Sequence, residues 1–351
     1  MLFTLLLMIF LELALNWNGI ETIRNVLYLP GISLVTVLTI YKINAKLIFL
    51  VINQKKIRFL LQRLEEFWPT DKYGESIQIG LQRMHDVAHK SIRFFVYVCV
   101  ACICILSSAP FVSNKRALPF SQYNICNLET SPCFELLYAW QIMVTSLQIL
   151  PITISFDGLF LSFILYAYIG IELIKNALLQ AISTNANSSE TRGNINEIVK
   201  QHSLILTFIK ETNLLFSGLL MIQFSASLGM QIFLLFMLTR NGIPPDTEHI
   251  STYGFLYITF ILQLSIYSIG GTMIVNQTKI LANISFGLEW YRDGNTDLAK
   301  SLKLIILRSQ NGEKMTIGNI FDLDLITFIS VCELVLKTAF SIYTLLNTIT
   351  A

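Results

Sequence analysis

Glu333 and Lys337 stand four residues apart inside an apolar stretch, within a series of Thr327, Ser330, Ser341, Thr344 and Thr348 that recurs at steps of three and four. On a helix this spacing gathers all of them into one polar stripe. The acid precedes the base in the favourable order, so the pair can neutralise itself against a neighbouring helix. A water-lined conduit is the other chemistry open to it, because a polar stripe in hydrocarbon must face protein or water. Spacing alone leaves both open.

Catalytic constellations are absent. The chain has no nucleophile elbow, Walker motif, His-Glu-x-x-His or paired carboxylates in a plausible cleft, so no catalytic residue is assigned and no enzyme is expected. His85 and His89 share a helix face but lack a third ligand, and Cys102-x-Cys104 is too short a spacing for a zinc knuckle. Neither a metal nor a cofactor is expected. Asp157 sits in another apolar stretch and needs a partner, which a structural hydrogen bond, a water or a direct functional role would supply.

The elements that must position these residues are seven apolar stretches, at roughly 1–16, 27–51, 92–112, 136–171, 214–238, 253–275 and 320–347. Most approach or exceed the ~20 residues that span a hydrocarbon core. With 54% hydrophobic and only 14% charged residues, the composition is that of a membrane protein. The first stretch carries Glu12 and has no basic residue before Arg24, which fits a short first helix better than a cleaved leader. The fourth continues in pattern to Ile182, so its helix should protrude beyond the bilayer.

Basic residues sort by side. The gaps after the second, fourth and sixth stretches hold Lys55, Lys56, Arg58, Arg63, Lys72, Arg83 and Lys90, then Lys175, Arg192, Lys200 and Lys210, then Lys279, Arg292, Lys300, Lys303, Arg308 and Lys314. The other gaps hold only Arg24, Lys115, Arg116 and Arg240. The positive-inside rule then places the amino terminus and the basic gaps in the cytoplasm and the carboxy terminus outside. The expected fold is thus an all-α, seven-transmembrane helical protein with inverted topology. Helices one and two fall in 1–54, a cytoplasmic loop in 55–91, and helices three and four in 92–175 around an extracellular loop at 113–135. A second cytoplasmic loop covers 176–211, helices five and six 212–275, cytoplasmic anchor helices 276–319 and the last helix 320–351.

That orientation opposes a G-protein-coupled receptor, and no Asp-Arg-Tyr or Asn-Pro-x-x-Tyr motif occurs. No inverted repeat points to a transporter, although Gly270-Gly271 permits a kink or a close helix approach. Nucleic acid is not an expected partner, since a net charge of +2 is spread over loops that also carry Glu65, Glu66, Asp71, Glu197, Glu289 and Asp297. The lipid bilayer is.

Two cytoplasmic pieces are amphipathic: Phe59, Leu60, Leu64 and Phe67 form one apolar face, and Leu298, Leu302, Ile305 and Ile306 another. These faces can cover each other within one subunit or form a subunit interface. Cys126 and Cys133 share an extracellular loop, where a bridge between them is permitted. On the outer side Val35 and Thr39, then Cys104 and Ser108, then Tyr138, Gln141 and Thr145, then Tyr253, Tyr257 and Phe260 make apolar walls with a few hydroxyls, suited to a small hydrophobic ligand. Tyr138 and Tyr253 could instead anchor the helices at the membrane interface.

The closing run Lys337-Thr338-Ala339-Phe340-Ser341-Ile342-Tyr343-Thr344-Leu345-Leu346 resembles the final signature of insect odorant receptors. Further cues are Asp157, Gln201-His202, Trp290, Arg308-Ser309-Gln310 and Met315-Thr316-Ile317-Gly318. The resemblance implies a ligand-gated, non-selective cation channel in which an odorant-binding subunit joins a shared co-receptor in a heterotetramer. It implies a plasma-membrane protein of olfactory sensory neuron dendrites that binds a small volatile odorant among the outer halves of helices two, three, four and six. The last helix would line the pore with Ser341, place Ile342 and Leu346 near a hydrophobic gate, and carry Leu345 where co-receptors have Gln. Ala339, Phe340 and Ile342 depart from the usual Ser, Tyr and Tyr. Thr338-Ala339 and Leu345-Leu346 also differ from the ending of the gustatory branch, the alternative chemoreceptor channel. Without the long cytoplasmic insertion of co-receptors, the chain reads as a tuning subunit.

Overall fold

The computed structural model describes residues 32–68, 75–113, 118, 130–183, 188–239, 242, 244–245, 250–288 and 296–350. The described residues form α1 (Ile32–Ile52), α2 (Gln54–Leu64), α3 (Glu75–Ser113) and α4 (Cys133–Val144), which runs through a π turn at Thr145–Ile149 into α5 (Leu150–Ser183). They continue with α6 (Ser188–Thr239), a π turn at Ile250–Gly254, α7 (Phe255–Gly287), α8 (Thr296–Ser309), the strands β1 (Thr316–Ile317) and β2 (Phe321–Asp322), and α9 (Leu325–Thr350). Among the described residues six helical segments are long and apolar enough to cross a membrane, and they fall on the second to seventh apolar stretches. The first stretch, Trp290 and the sequon at Asn187 lie outside the described residues, as does Cys126, to which the sequence permits a bridge from Cys133; Cys133 is disulfide-bonded.

The long helices pack through buried residues that recur at helical spacing. Along α6 the buried side chains include Ile195, Ile198, His202, Ile205, Ile209, Thr212, Phe216, Leu219, Gln223, Ser227, Met230, Leu234 and Met237, at steps of three and four, and Leu206, Phe208, Ser217, Leu220, Phe224, Ala226 and Gln231 widen that face. Such a stripe keeps one seam facing its neighbours along the whole helix. With 52 residues, α6 extends about 78 Å at 1.5 Å per residue, over twice a ~30 Å hydrocarbon core. A large part of it therefore stands outside the membrane, as the protruding end of α5 does. Lipid offers no hydrophobic drive for helix association, so shape must hold the seam. Aromatic packing supplies it: Phe160 meets Tyr267 at 5.2 Å, and Phe163 lies edge-on to Phe216 at 6.0 Å, as Phe49 does to Phe156 at 5.6 Å.

α2 and α8 add a layer around the protruding ends of α5, α6 and α7. Ile57 and Leu60 of α2 are buried in the same core as Leu302 and Ile305 of α8, and Phe67 reaches Phe208 at 5.3 Å. Burial within one subunit thus accounts for both amphipathic faces. Phe59 departs from the expected face and is 49% exposed, because Ile57, Leu60 and Leu64 share one helix side and Phe59 lies off it. The buried His202 Nε2 contacts Ser309 Oγ at 2.8 Å, joining α6 to the end of α8.

The seventh stretch begins as a ribbon rather than a helix. Gly318 and Asn319 have φ of 64° and 58°, and the Ile320 N–H donates to the Ile317 carbonyl, closing a tight turn with both central residues left-handed. α6 holds this turn: Asn213 Oδ1 accepts the Thr316 N–H at 2.7 Å and Ser217 Oγ accepts the Asn319 N–H at 2.9 Å. Asp324 then caps α9, its carboxylate accepting the Thr327 N–H at 2.8 Å. The base of the last helix is fastened on the side of the extra layer.

Candidate ligand chamber and pore helix

A cavity of about 120 Å³ lies where the ends of α1, α3, α4–α5 and α7 away from that layer converge. Each wall is one helical face. α1 contributes Val35, Thr39, Lys42, Ile43 and Lys46, α3 Phe95, Cys99 and Ile103, and α7 Leu256, Thr259, Phe260 and Gln263. The remaining wall comes from the π turn and its continuation, with Thr145, Ile149, Leu150 and Thr153. A π turn inserts an extra residue into the helical register, a distortion common at functional sites. Here its hydroxyls and aliphatic groups face the space.

Of the residues singled out in the sequence, Val35, Thr39, Thr145 and Phe260 line this cavity. Tyr253 is buried and Tyr257 half-buried in an adjoining cluster with Val35, Met230, Leu234 and Met237. Tyr138 Oη donates to the Ser107 carbonyl at 2.7 Å, tying α4 to α3, and Gln141 is buried with its carbonyl accepting from Thr145. Cys104 and Ser108 are exposed on α3 and do not line this cavity. On α3 the lining register is Phe95, Cys99 and Ile103 instead.

Below the apolar space lies a charged floor, of which Asp157 alone was marked in the sequence. Asp157 Oδ1 accepts from Lys46 Nζ at 2.6 Å and from the Tyr267 hydroxyl, while Asp157 Oδ2 accepts from Gln263 Nε2 at 2.7 Å. One carboxylate so joins α1, α5 and α7. Lys42 Nζ donates to Ser227 Oγ at 3.2 Å and Gln263 Oε1 at 3.4 Å, and lies 4.6 Å from the centre of the Phe260 ring. The partner that Asp157 needed is a lysine on the same apolar stretch that supplies the outer wall. Two lysines four residues apart in a membrane-length run were the available signal, because intramembrane cations mark function or pairing.

The polar stripe of α9 occupies a different surface. Lys337 Nζ pairs with Glu333 Oε1 at 2.6 Å, yet the two side chains are 71% and 61% exposed. Ser330, Ser341, Thr344 and Thr348 are exposed too, and Ser341 Oγ donates to the Lys337 carbonyl of its own helix at 2.8 Å. Val335 and Ala339, the buried side chains among the described residues of this helix, lie roughly 200–240° round it from Glu333. The stripe therefore points away from the chain's own core. Only 11% of this span is buried, against 50% in α6. Ile342 is half-buried, and Leu345 and Leu346 lie on α9, where the backbone alone is described.

Comparison with known proteins gives concordant matches. A family model described as 7tm odorant receptor matches residues 31–336. Odorant receptor 10 of Aedes albopictus is 24% identical over 246 residues, which is 68% of this chain and 62% of the relative, so the match spans less than two thirds of that relative's length. Odorant receptor Or2 of Anopheles gambiae is 22% identical over 315 residues, covering 85% of this chain and 79% of its own. The solved structure of the insect olfactory receptor OR5 from Machilis hrabei in complex with eugenol superposes with a TM-score of 0.80 at 12% identity, covering 96% of this chain and 87% of that one. At that identity the likeness shows the fold.

Proposed function

This chain belongs to the 7tm odorant receptor family, a multi-pass membrane family of receptors and not of enzymes, and on that premise we propose that it is the odorant-binding subunit of a ligand-gated cation channel. The observation that carries the channel reading is the exposed stripe of α9. A row of Ser330, Glu333, Lys337, Ser341 and Thr344 facing outward from a single chain has no place against lipid. Several copies of α9 around a common axis would enclose the stripe and wet it. The partner subunits are a shared co-receptor in a heterotetramer, the setting a dendritic plasma membrane of an olfactory neuron. Phe59, Leu61, Leu304 and Leu307, left exposed on the extra layer, suit it to subunit contacts outside the membrane.

Ligand binding belongs to the cavity among α1, α3, α4–α5 and α7, where Val35, Thr39, Thr145 and Phe260 are joined by Cys99 and Thr259. Tyr253 and Tyr257 support that wall from behind. The structural relative bound to eugenol favours this kind of occupant, a small molecule with a ring-sized apolar body. Binding would stabilise a state in which α9 moves outward and a dewetted constriction near Ile342 and Leu346 widens. Ile342→Ala or Leu346→Ala is then expected to raise basal current or shift gating several-fold when expressed with a co-receptor. Unchanged basal current and odorant response in both variants, with normal surface levels, would remove the gate from these positions.

The proposed orientation has the amino terminus and the α2–α8 layer in the cytoplasm and the end of α9 outside. It is testable without electrophysiology. Asn276 and Asn283 are exposed on the lower part of α7 and each begins a glycosylation sequon. Both should stay unglycosylated in insect cells, so endoglycosidase treatment should leave electrophoretic mobility unchanged. A shift abolished by Asn276→Gln or Asn283→Gln would reverse the topology.

A further inference from the structure

The floor of the cavity carries more positive than negative charge. Lys42 and Lys46 are 4% and 1% exposed and Asp157 is 4% exposed, so two ammonium groups and one carboxylate share a buried site. Asp157 is committed to Lys46 at 2.6 Å. Among the described residues no carboxylate lies within ion-pair distance of Lys42. Its contacts to Ser227 and Gln263, at 3.2 and 3.4 Å, are longer than the ~2.7–2.9 Å of charge-assisted hydrogen bonds. A buried cation without an anion is costly, and the nearby ring face of Phe260 offsets only part of that.

We infer that the cavity recognises a small carboxylic acid, bound with its carboxylate on the Lys42 ammonium at the floor and its hydrocarbon body in the apolar space above. The inference rests on the reading of this cavity as the odorant site and names the ligand class for it. Three observations converge on the acid. Lys42 lines the cavity, its present partners are neutral, and an arriving carboxylate would make the buried charges equal in number. Gln263 can release Lys42 without disturbing Asp157, because Oε1 serves the first and Nε2 the second. The volume sets the size. A cavity of about 150 Å³ holds benzene, so about 120 Å³ admits a body of roughly five carbons.

The test compares hexanoic acid with methyl hexanoate on the receptor expressed with its co-receptor. Half-maximal concentrations are read as current and, independently, as thermal stabilisation of the purified complex. The acid is expected to act at a concentration at least tenfold below that of the ester. Lys42→Met should raise the acid value tenfold or more and leave the ester value in place, while Lys42→Arg should keep the preference. An ester as potent as the acid on the wild-type receptor would overturn the inference, as would a Lys42→Met receptor that preserves the ratio. Should the Met variant fail to reach the surface, the wild-type ratio decides alone. Stabilisation that favours the acid without any evoked current supports this assignment while overturning the channel reading. Currents with no acid preference do the reverse.

Discussion

Asp157→Leu is expected to destabilise the folded receptor by about 3–5 kcal/mol, the usual cost of leaving one buried charge without its partner. Lys46 would be stranded with 1% exposure between α1 and α5, and the Tyr267 hydroxyl and Gln263 amide would lose their acceptor as well. Lys46→Met should cost less, because Asp157 keeps the Gln263 and Tyr267 donors when the ammonium goes. The double variant Lys46→Met/Asp157→Leu should recover part of the loss, since replacing both members of a buried pair by apolar residues of similar volume is often neutral. The recovery stays partial, as each buried donor left unpaired costs about 1–3 kcal/mol. Thermal unfolding of the detergent-solubilised protein, followed by size-exclusion retention, orders the three variants. Asp157→Leu as stable as wild type, or milder than Lys46→Met, would contradict the network as the tie between helices.

The network also marks where sequence reasoning reached its limit. Spans and their helical nature were legible because they depend on length and hydropathy, which the bilayer imposes segment by segment. The stripe of α9 was legible for the same reason, as a local period in one helix. Which way it pointed was not, since the favoured arrangements, inside the bundle or outside it, leave the same residues at the same spacing. Exposure of Glu333 and Lys337 decides it. The cavity helices could be anticipated, but on α3 and α4 the register could not. Cys104 and Ser108 lie off the helix face of Cys99 and Ile103, and the π turn at Thr145–Ile149 precedes Pro151, whose missing N–H and ring break the regular i to i−4 ladder there. The ribbon before α9 was masked by its own apolar residues, Ile320 and Phe321, which read as the start of a span. Gly318-Asn319 was the available sign.

Gly271→Ala is the second large effect expected, and it acts at the base of α9, the proposed pore helix. A Cβ built on Gly271 would lie 1.8 Å from the Leu323 carbonyl oxygen and 2.9 Å from its carbon, both backbone atoms that cannot rotate aside. The glycine lets the chain entering α9 run directly against α7. The contact is tied on both sides: Leu323 N–H donates to the Met315 carbonyl at 2.8 Å, and Leu325 N–H donates to Thr272 Oγ1 at 2.9 Å. An added methyl must therefore separate α7 from the start of α9, at a cost of about 1–3 kcal/mol or more for overpacking. The functional consequence follows from where α7 leads. Gln263, on the floor of the ligand cavity, is on the same helix about 12 Å away along its axis. Under the proposed gating, a shift in α7 caused by ligand would reach α9 through this contact, so forcing the two apart should reduce ligand-evoked current more than surface expression. Gly218→Ala, where a Cβ meets nothing within 4 Å, is the matched control and should be neutral or slightly stabilising. Equal currents from the two variants at equal surface density would mean that the α7–α9 contact carries neither stability nor gating.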